Sequence, residues 1–584
     1  MQPVDRQLVE STYDATVHAD IEAFREAAQQ YTAGQLTDDQ FRPHRLRRGI
    51  YTQRQAGVHM IRTKVPGGIA TAHQFRVMAD FADQFAGSKG HLTTRQNMQF
   101  HFVPLKDVPD ALHLLADSRL TTREACYNTI RNITACPYAG LVNGEPFDVR
   151  PYAQKAAFAF LHKEIADNLP RKFKIGFAGT DADTIATSIN DLGFRAVIRD
   201  GQRGFRVTVG GGLGPLPNEA KVLDEFLPDD RVINRIESVV RLFAKYGNRG
   251  NKNKARLKFV LRERGFEWLR DTVELEYQDI LQNGGVATPE IVPEGFGGFE
   301  LQPRIPVSLP PVIDHRVADA GFDEWFETSA EEQKQAGYAI ATVRVEQGNM
   351  TSAQMRGVAD AAEEFGDGLL RLTMSQNLLI AFVPLANLKR LHAKLKAIGL
   401  GEAGADRIDD VMTCPGAYSC NLALTKSMNL GEALALTLVK ETDPEIRKLA
   451  VHVSGCPNSC GQHWTGDFGF YGNARKINGK EVPYYLMLLG GGQDETGIMR
   501  FGLQIQSLPA RLVPTAVDRV IRHFQANRET GESFRSYVMR HKVETFRKLT
   551  ADLAKPADLF PEIYQDWGDD VQYSLQLGRG ECAA

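Results

Sequence analysis

Four of the seven cysteines in the chain fall in one stretch, at Cys414, Cys420, Cys456 and Cys460. The first pair sits in Thr413-Cys-Pro-Gly-Ala-Tyr-Ser-Cys420, the second in Ser454-Gly-Cys-Pro-Asn-Ser-Cys-Gly461. Pro, Gly, Ser and Asn around each pair put the thiols on tight turns, outside any helix interior. Four thiolates presented from two turns make a soft-metal site, suited to an iron–sulfur cluster, zinc or Cu(I). Structural zinc prefers short knuckles, often completed by histidine. Here one gap is Cys-x5-Cys and the other Cys-x3-Cys, which suits a body larger than one ion. The spacing favours a 4Fe-4S cluster, with zinc as the alternative. Four unliganded thiols would require each Cys-Pro turn to bring its sulfur to the others by accident.

The elements that must hold this site are read from an internal repeat. Leu92-Thr-Thr-Arg-Gln-Asn-Met-Gln-Phe-His-Phe-Val-Pro-Leu105 recurs as Leu372-Thr-Met-Ser-Gln-Asn-Leu-Leu-Ile-Ala-Phe-Val-Pro-Leu385, with eight of fourteen positions identical at an offset of 280. The same offset pairs Thr71 with Thr351, Gln74 with Gln354, Arg76 with Arg356, Asp80 with Asp360 and Phe85 with Phe365. The unit reads as a strand near 59–65, an amphipathic helix near 72–85 and a strand near 91–103. Fainter matches continue it: Lys172 to Gly179 parallels Lys448 to Gly455, and Val207 to Gly212 parallels Met487 to Gly492. The chain is therefore two copies of one unit, packed about a pseudo-twofold axis with a cleft between them for a shared ligand. The expected divisions are a helical arm at 1–40, half-domains at 41–118 and 326–400, larger domains at 119–284 and 401–570, a Pro- and Gly-rich linker at 285–325 and a tail at 571–584. Asp20 is the expected cap of a helix in the arm. Arg42, Arg45, Arg47 and Arg48 read as a solvated face, with a ligand-facing role as the alternative.

Composition excludes several classes. A net charge of −3 argues against a general nucleic-acid binder, and hydrophobic and charged contents of 43% and 24% are those of a soluble globular chain. No apolar run approaches the roughly 18 residues of a membrane span. Residues 1–20 read as neither a secretory signal nor a transit peptide. An odd cysteine count without a disulfide framework points to a reducing cytoplasm.

With the metal in the second copy, the substrate chemistry belongs to the first. Arg62 precedes Lys64-Val-Pro-Gly-Gly68, Arg131 lies in Ile-Arg-Asn-Ile-Thr, and Lys172 and Lys174 alternate around Phe173, so that a strand would turn both to one face. Each alone is ordinary surface charge. Facing a cluster together they form an anion pocket, which holds a small oxyanion, offsets charge as electrons arrive and supplies protons as oxygens leave as water.

Taken together, the two cysteine motifs and the two-half organisation resemble the siroheme-containing nitrite and sulfite reductases, over nearly the whole chain. The resemblance implies a mixed α+β fold in which paired ferredoxin-like half-domains form one domain beside two cofactor-binding α+β domains. It implies a 4Fe-4S cluster on all four cysteines, with Cys460 also bridging to siroheme iron. Met60-Ile-Arg-Thr-Lys-Val-Pro-Gly-Gly68, Ile130-Arg-Asn132 and Pro170-Arg-Lys-Phe-Lys174 match the segments that carry the family's anion-binding cations, giving Arg62, Arg131, Lys172 and Lys174. Lys174, where nitrite-reducing members tend to carry Asn, favours sulfite; nitrite is the alternative substrate. Gly49-Ile-Tyr-Thr-Gln-Arg54 and Glu124-Ala-Cys126 resemble segments that set a tyrosine beside a cysteine, here Tyr51 and Cys126, sometimes covalently joined. The bland reading is that both simply pack.

Siroheme carries eight carboxylates, so its pocket should be rich in cations and amides. Candidates are Arg95, Asn97 and Gln99 on the repeated strand, which the later copy replaces with Ser375, Asn377 and Leu379. A second candidate group is the strand-like basic run Lys252, Lys254, Arg256 and Lys258. Val209-Gly-Gly-Gly-Leu-Gly214 lacks the Lys-Ser/Thr of a phosphate loop and reads as backbone approaching the macrocycle. No flavin or NADPH motif is seen, so electrons are expected from an external donor, ferredoxin or a separate flavoprotein. The rival from another class is a 4Fe-4S electron-transfer protein without siroheme. Cys582 has no assigned role, and its tail is expected to be disordered.

Overall fold

The structure is a computed structural model that describes residues 4–300, 304–307, 320–494, 497–556, 559–576, 578 and 581. Its repeated unit has the helix where the periodicity predicts it, but the strand expected near 91–103 is two strands joined by a turn, and the strand expected near 59–65 ends at Arg62. In the first copy the strands Val58–Arg62, Lys89–Leu92 and Met98–Pro104 flank the helix Ala72–Phe85. Thr71 and Gln74 close a capping box at the start of that helix, each side chain taking the other's backbone N–H at 3.1 Å. Thr351 and Gln354 do the same for the helix Ser352–Phe365. Such a cap is worth roughly 0.5–2 kcal/mol.

The two copies are welded by exchange. The three-residue strand Asn349–Thr351 of the second copy pairs with Lys89–Leu92 of the first, and Ile69–Thr71 of the first pairs with Leu369–Leu372 of the second. Each five-stranded sheet is thereby completed by the other half. The two helices face each other across the axis, and their ion pairs are reciprocal. Arg76 reaches Asp360 at 2.7 Å and Glu363 at 2.5 Å, while Arg356 reaches Asp80 at 2.6 Å and Asp83 at 2.7 Å. Phe75, Met78, Phe81 and Phe100 share one core with Met355, Val358 and Ile380.

Each half adds a second, mixed sheet. In the first the order is Lys221–Pro228, Gln202–Val209, Leu192–Arg199, Ile175–Ala178 and Thr134–Ala135. In the second, the matching order is Leu503–Pro509, Lys480–Leu489, Phe468–Ile477, Val451–Ser454 and Met412–Thr413. The short parallel strands at one edge of each sheet end where the chemistry-bearing loops begin.

Several expectations change. The first helix runs Arg6–Thr32 with Asp5 as its cap, and Asp20 lies inside it. The upstream residues Tyr13 and Val17 continue the buried helical stripe of Ile21 and Phe24, so the helix starts earlier. The basic cluster is neither solvated nor turned to a ligand. Arg42 pairs with Asp39, Arg45 with Glu581, Arg47 with Asp167 and Arg48 with Asp20. Part of the expected linker is packed: Phe296 is fully buried against Tyr13 and Phe158, and Gly295 O accepts from Gln74 at 2.7 Å. The helix Ala320–Ser329 also begins within it. Among the described residues no helix is long and apolar enough to cross a membrane.

Candidate active site

A large cavity opens between the halves, enclosing about 1500 Å³ with its mouth included, above the roughly 300–1,000 Å³ of ordinary small-ligand pockets. All four cysteines line it, as do Arg62, Arg131, Lys172 and Lys174. The second copy supplies the sulfurs and the first supplies the cations, as the motifs predict.

The cysteine turns follow the edge strand Met412–Thr413 and its neighbour Val451–Ser454, which pair in parallel and so deliver both loops to the same end of the sheet. Gly455 N–H donates to Cys414 Sγ at 3.3 Å, tying one turn to the other. A side chain at Gly455 would meet Thr425 O at 2.7 Å and Gly416 Cα at 2.9 Å, so only glycine lets the turns approach. Burial and the neighbouring Cys460, Cys414 and Cys420 sulfurs push the Cys456 thiol well above its usual range. The four sulfurs therefore sense one another and are poorly accommodated as bare thiolates, which fits a cationic cluster. Among the described residues no three His, Cys, Asp or Glu side chains converge tightly enough for a single metal ion.

The first half grips these loops. Thr94 Oγ1 donates to Cys460 O at 2.8 Å, and Gln462 Nε2 returns a bond to Thr94 O at 3.1 Å. Arg54 donates to Ala423 O at 2.7 Å, and its backbone N–H to Ser419 O at 2.8 Å.

Opposite the sulfurs lies the cationic wall. Arg62 ends the strand Val58–Arg62, donates to Gln99 Oε1 at 2.8 Å and stacks over the Tyr51 ring at 5.7 Å. Arg131 is held by Ala125 O at 2.9 Å. Lys174 takes its backbone geometry from Asp191, whose carboxylate also pairs with Arg256 at 2.8 Å. Burial, then Arg95, Arg256 and Lys172, push the Lys174 ammonium well below its usual range. Burial and Arg131 likewise pull Arg95 down to about 9. A wall so crowded with cations is complementary to anions.

The other expected contacts divide. Arg95, Asn97 and Gln99 all line the cavity, but only Gln99 is on the strand; Arg95 and Asn97 lie on the turn before it. Arg95 is held by Asn132 O and Ile175 O. Asn97 Oδ1 accepts Val65 N–H at 3.3 Å, as Asn377 accepts Val345 N–H at 2.9 Å in the other copy, so this amide serves the fold in both halves. The basic run is not a strand: Lys252–Lys254 is a 3-10 turn and Leu257–Arg264 a helix. Arg256 lines the cavity, Lys258 is buried against the carbonyls of Leu213 and Leu216, and Lys252 and Lys254 are exposed. The glycine loop packs on protein instead, since a side chain at Gly211 would meet Ser188 O at 2.3 Å; Leu213 alone of that loop lines the cavity. Tyr51 and Cys126 share one buried cluster with Leu46 and Met60. Cys582 lies outside the described residues; of those before it, Glu581 is buried and Tyr573 OH donates to Leu424 O at 2.7 Å.

Sequence reasoning missed His91 and His101, which both line the cavity. Both ring nitrogens of His101 are buried without a partner, and burial pushes it down to about 3. The signal was present: His101 falls two residues after Gln99 on the repeated strand, and the other copy has Ala381 there.

Comparison with known proteins agrees with this geometry. Residues 126–281 and 404–556 match the family described as nitrite and sulphite reductase 4Fe-4S domain, and residues 51–118 and 331–398 match the nitrite/sulfite reductase ferredoxin-like half domain. The chain belongs to the nitrite and sulphite reductase family. It is 30% identical to the assimilatory ferredoxin-dependent nitrite reductase of Haloferax mediterranei, over 90% of this chain and 89% of that one. It is 27% identical to a ferredoxin sulfite reductase of Mycolicibacterium paratuberculosis, over 85% and 88%. The solved structure of the Mycobacterium tuberculosis NirA protein superposes with a TM-score of 0.75 at 26% identity, covering 90% of this chain and 95% of that one. As a member of the family the chain is an oxidoreductase whose cofactors are siroheme and a 4Fe-4S cluster. The residues present fit both groups: four facing thiols for the cluster, and for a polycarboxylate macrocycle a broad cavity walled by cations and by the unpartnered His101 ring.

Proposed function

We propose that the protein reduces sulfite to sulfide; Cys414, Cys420, Cys456 and Cys460 would hold the 4Fe-4S cluster, with Cys460 the thiolate that would link it to siroheme. The coupled cofactors, when bound, supply single electrons to the anion. Arg62, Arg131, Lys172 and Lys174 hold the anion's oxygens against the cavity wall and neutralise its charge. Hydrogensulfite takes up six electrons and six protons to give hydrosulfide and three waters, so proton supply is as necessary as electron supply. Lys174, whose ammonium is destabilised by burial and by neighbouring cations, gives up its proton more readily than an ordinary lysine. Arg95, Gln99, Arg256 and His101, which line the cavity, are the groups that would meet the macrocycle's carboxylates.

The observation that carries sulfite over nitrite is the second lysine. Sulfite presents three oxygens and up to two negative charges where nitrite presents two oxygens and one, so the fourth cation at Lys174 suits the larger, more highly charged anion. Nitrite reduction to ammonia by the same residues is the second reading, favoured by the names of the relatives from Haloferax mediterranei and Synechococcus elongatus. The donor is ferredoxin in this reading, as in the names of relatives of both kinds. Measuring kcat/KM for sulfite and for nitrite on one purified sample, with a reduced viologen dye as donor, tests the choice. A sulfite preference of about tenfold or more is expected; a nitrite preference of that size would overturn it.

A further inference from the structure

Glu581 is out of character with its surroundings. Among the described residues lining the cavity it is the one carboxylate, set beside arginines, lysines and thiols, and it is 8% exposed. A bare carboxylate there would repel the anion. Its charge is instead cancelled within the protein. Arg45, itself 6% exposed, forks onto both oxygens, with Nη1 to Oε2 at 2.7 Å and Nη2 to Oε1. The second oxygen contact is to backbone: Thr52 N–H donates to Glu581 Oε2 at 2.8 Å. Arg45 Nη1 also reaches Ile50 O at 3.4 Å. The pair therefore clamps both ends of the strand Ile50–Thr52, which carries Tyr51, and Arg62 lies over the Tyr51 ring.

The described residues leading to Glu581 are tied to the other side of the cavity. Gly578 N–H donates to Asn421 O at 3.1 Å, Tyr573 OH to Leu424 O, and Lys426 pairs with Asp569. All three contacts fall on the segment just after Cys420. Described residues of this stretch thus touch both the segment after Cys420 and the strand beside the cationic wall.

We propose that Glu581 is a positioning residue for the anion site: through Arg45 and Thr52 it fixes the Tyr51 strand, and through that strand the Arg62 guanidinium. The proposal rests on the reading of the cavity as the reduction site. A bidentate buried pair that also satisfies a backbone N–H is directional. Removing its carboxylate leaves Arg45 buried without a counter-charge and Thr52 N–H without an acceptor. The strand then has several arrangements where it had one, and misplacement of a group that touches the anion lowers turnover without changing the chemistry available.

The test uses the full-length holoenzyme, Glu581→Ala, Glu581→Gln, Arg45→Gln and the Arg45→Gln/Glu581→Gln double variant, with Cys582→Ser as the neighbouring control. Steady-state kinetics with a reduced viologen dye and hydrogen exchange of the backbone at residues 50–54 are measured on each. Glu581→Ala should raise the sulfite KM about tenfold with kcat changed by less than about threefold, and exchange at 50–54 should accelerate. Glu581→Gln should lie between Glu581→Ala and wild type, because its amide oxygen can still take Thr52 N–H. Arg45→Gln should behave as Glu581→Gln does, and the double variant should be no worse than either single change. Cys582→Ser should match wild type. Unchanged KM and unchanged exchange in Glu581→Ala would overturn the proposal, as would faster exchange with an unaltered KM. If wild type turned over neither anion, the reduction reading would fall, while the exchange data would still decide whether Glu581 holds the strand.

Discussion

The cysteine turns of the second half have a counterpart in the first, and the two have diverged in chemistry alone. Cys136 follows the edge strand Thr134–Ala135 just as Cys414 follows Met412–Thr413, and each is followed by proline. Gly179 and Gly455 end the matching neighbouring strands, so Thr180 stands where Cys456 stands and Thr184 where Cys460 stands. The hydrogen-bonded link between the turns survives in altered form. Thr184 Oγ1 donates to Cys136 Sγ at 3.3 Å, and Gly455 N–H donates to Cys414 Sγ at 3.3 Å. In the first half burial pushes the lone Cys136 thiol up, holding it protonated. A loop pair with one thiol is a packed turn; the same loop pair with four is a cluster site. The scaffold fixes where two turns meet, and the side chains placed there decide what the meeting does.

A similar division holds on the repeated strands. Arg62, Arg95, Gln99 and His101 face the cavity in the first copy, and Thr342, Ser375, Leu379 and Ala381 stand at the same offsets in the second. Residues that serve the fold are kept in both. Gln96 spans Ala135 O and Leu372 O, and Gln376 spans Thr413 N–H and Leu92 O, the same bridge seen from each side of the axis.

The sharpest way to break this comparison is to change the two equivalent cysteines separately. Cys414→Ser should abolish turnover of both anions and lower bound iron and labile sulfide, whereas Cys136→Ser should leave iron, sulfide and activity at wild-type levels. Equal loss in both would mean that the first-half turns also hold metal. A smaller effect is expected at the buried pairs that brace each half. Lys64 and Glu124 meet at 2.7 Å with almost no exposure, and Arg344 meets Asp409 at 2.8 Å in the second copy. Glu124→Ala strands the Lys64 ammonium and should cost about 3–5 kcal/mol against urea; a loss below about 1 kcal/mol would show that the pair does not brace the loop carrying Cys126 and Arg131. The smallest effect belongs to the reciprocal pairs on the axis. Arg76 is one-third exposed, so Arg76→Ala should cost no more than about 1 kcal/mol. A larger loss would make the surface pairs, and not the exchanged strands and shared core, the main bond between halves.

Much of this was legible in the chain. The constant offset of 280 gave the duplication, the apolar periodicity gave the helix at 72–85, and turn residues around each cysteine gave the converging thiols. The exchange of strands was not legible, because Ile69–Thr71 and Asn349–Thr351 are three residues long and pair with partners far away in sequence. Arg45 and Arg48 could not be distinguished from surface charge, since their partners Glu581 and Asp20 lie 536 and 28 residues away. Local charge density misled at Lys252 to Lys258, where a turn and a helix separate residues that a strand would have aligned. His101 was within reach, had the comparison of copies been carried two residues further along the strand.

In the proposed reading the first half's cations, Lys174 above all, turn the second half's cysteine site into one that reduces sulfite. The direct measurement is kcat/KM for both anions in wild type and Lys174→Asn, across pH. Because the Lys174 ammonium is held well below its usual range, the protonated donor is present at low pH and lost as pH rises through that lowered value. Wild-type kcat/KM for sulfite should therefore fall on the alkaline side well before an ordinary lysine would titrate. Lys174→Asn should lower sulfite kcat/KM about a hundredfold and remove that limb, with nitrite turnover changed by less than about tenfold. An equal fall for both anions, or a sulfite profile that Lys174→Asn leaves unmoved, would contradict the claim.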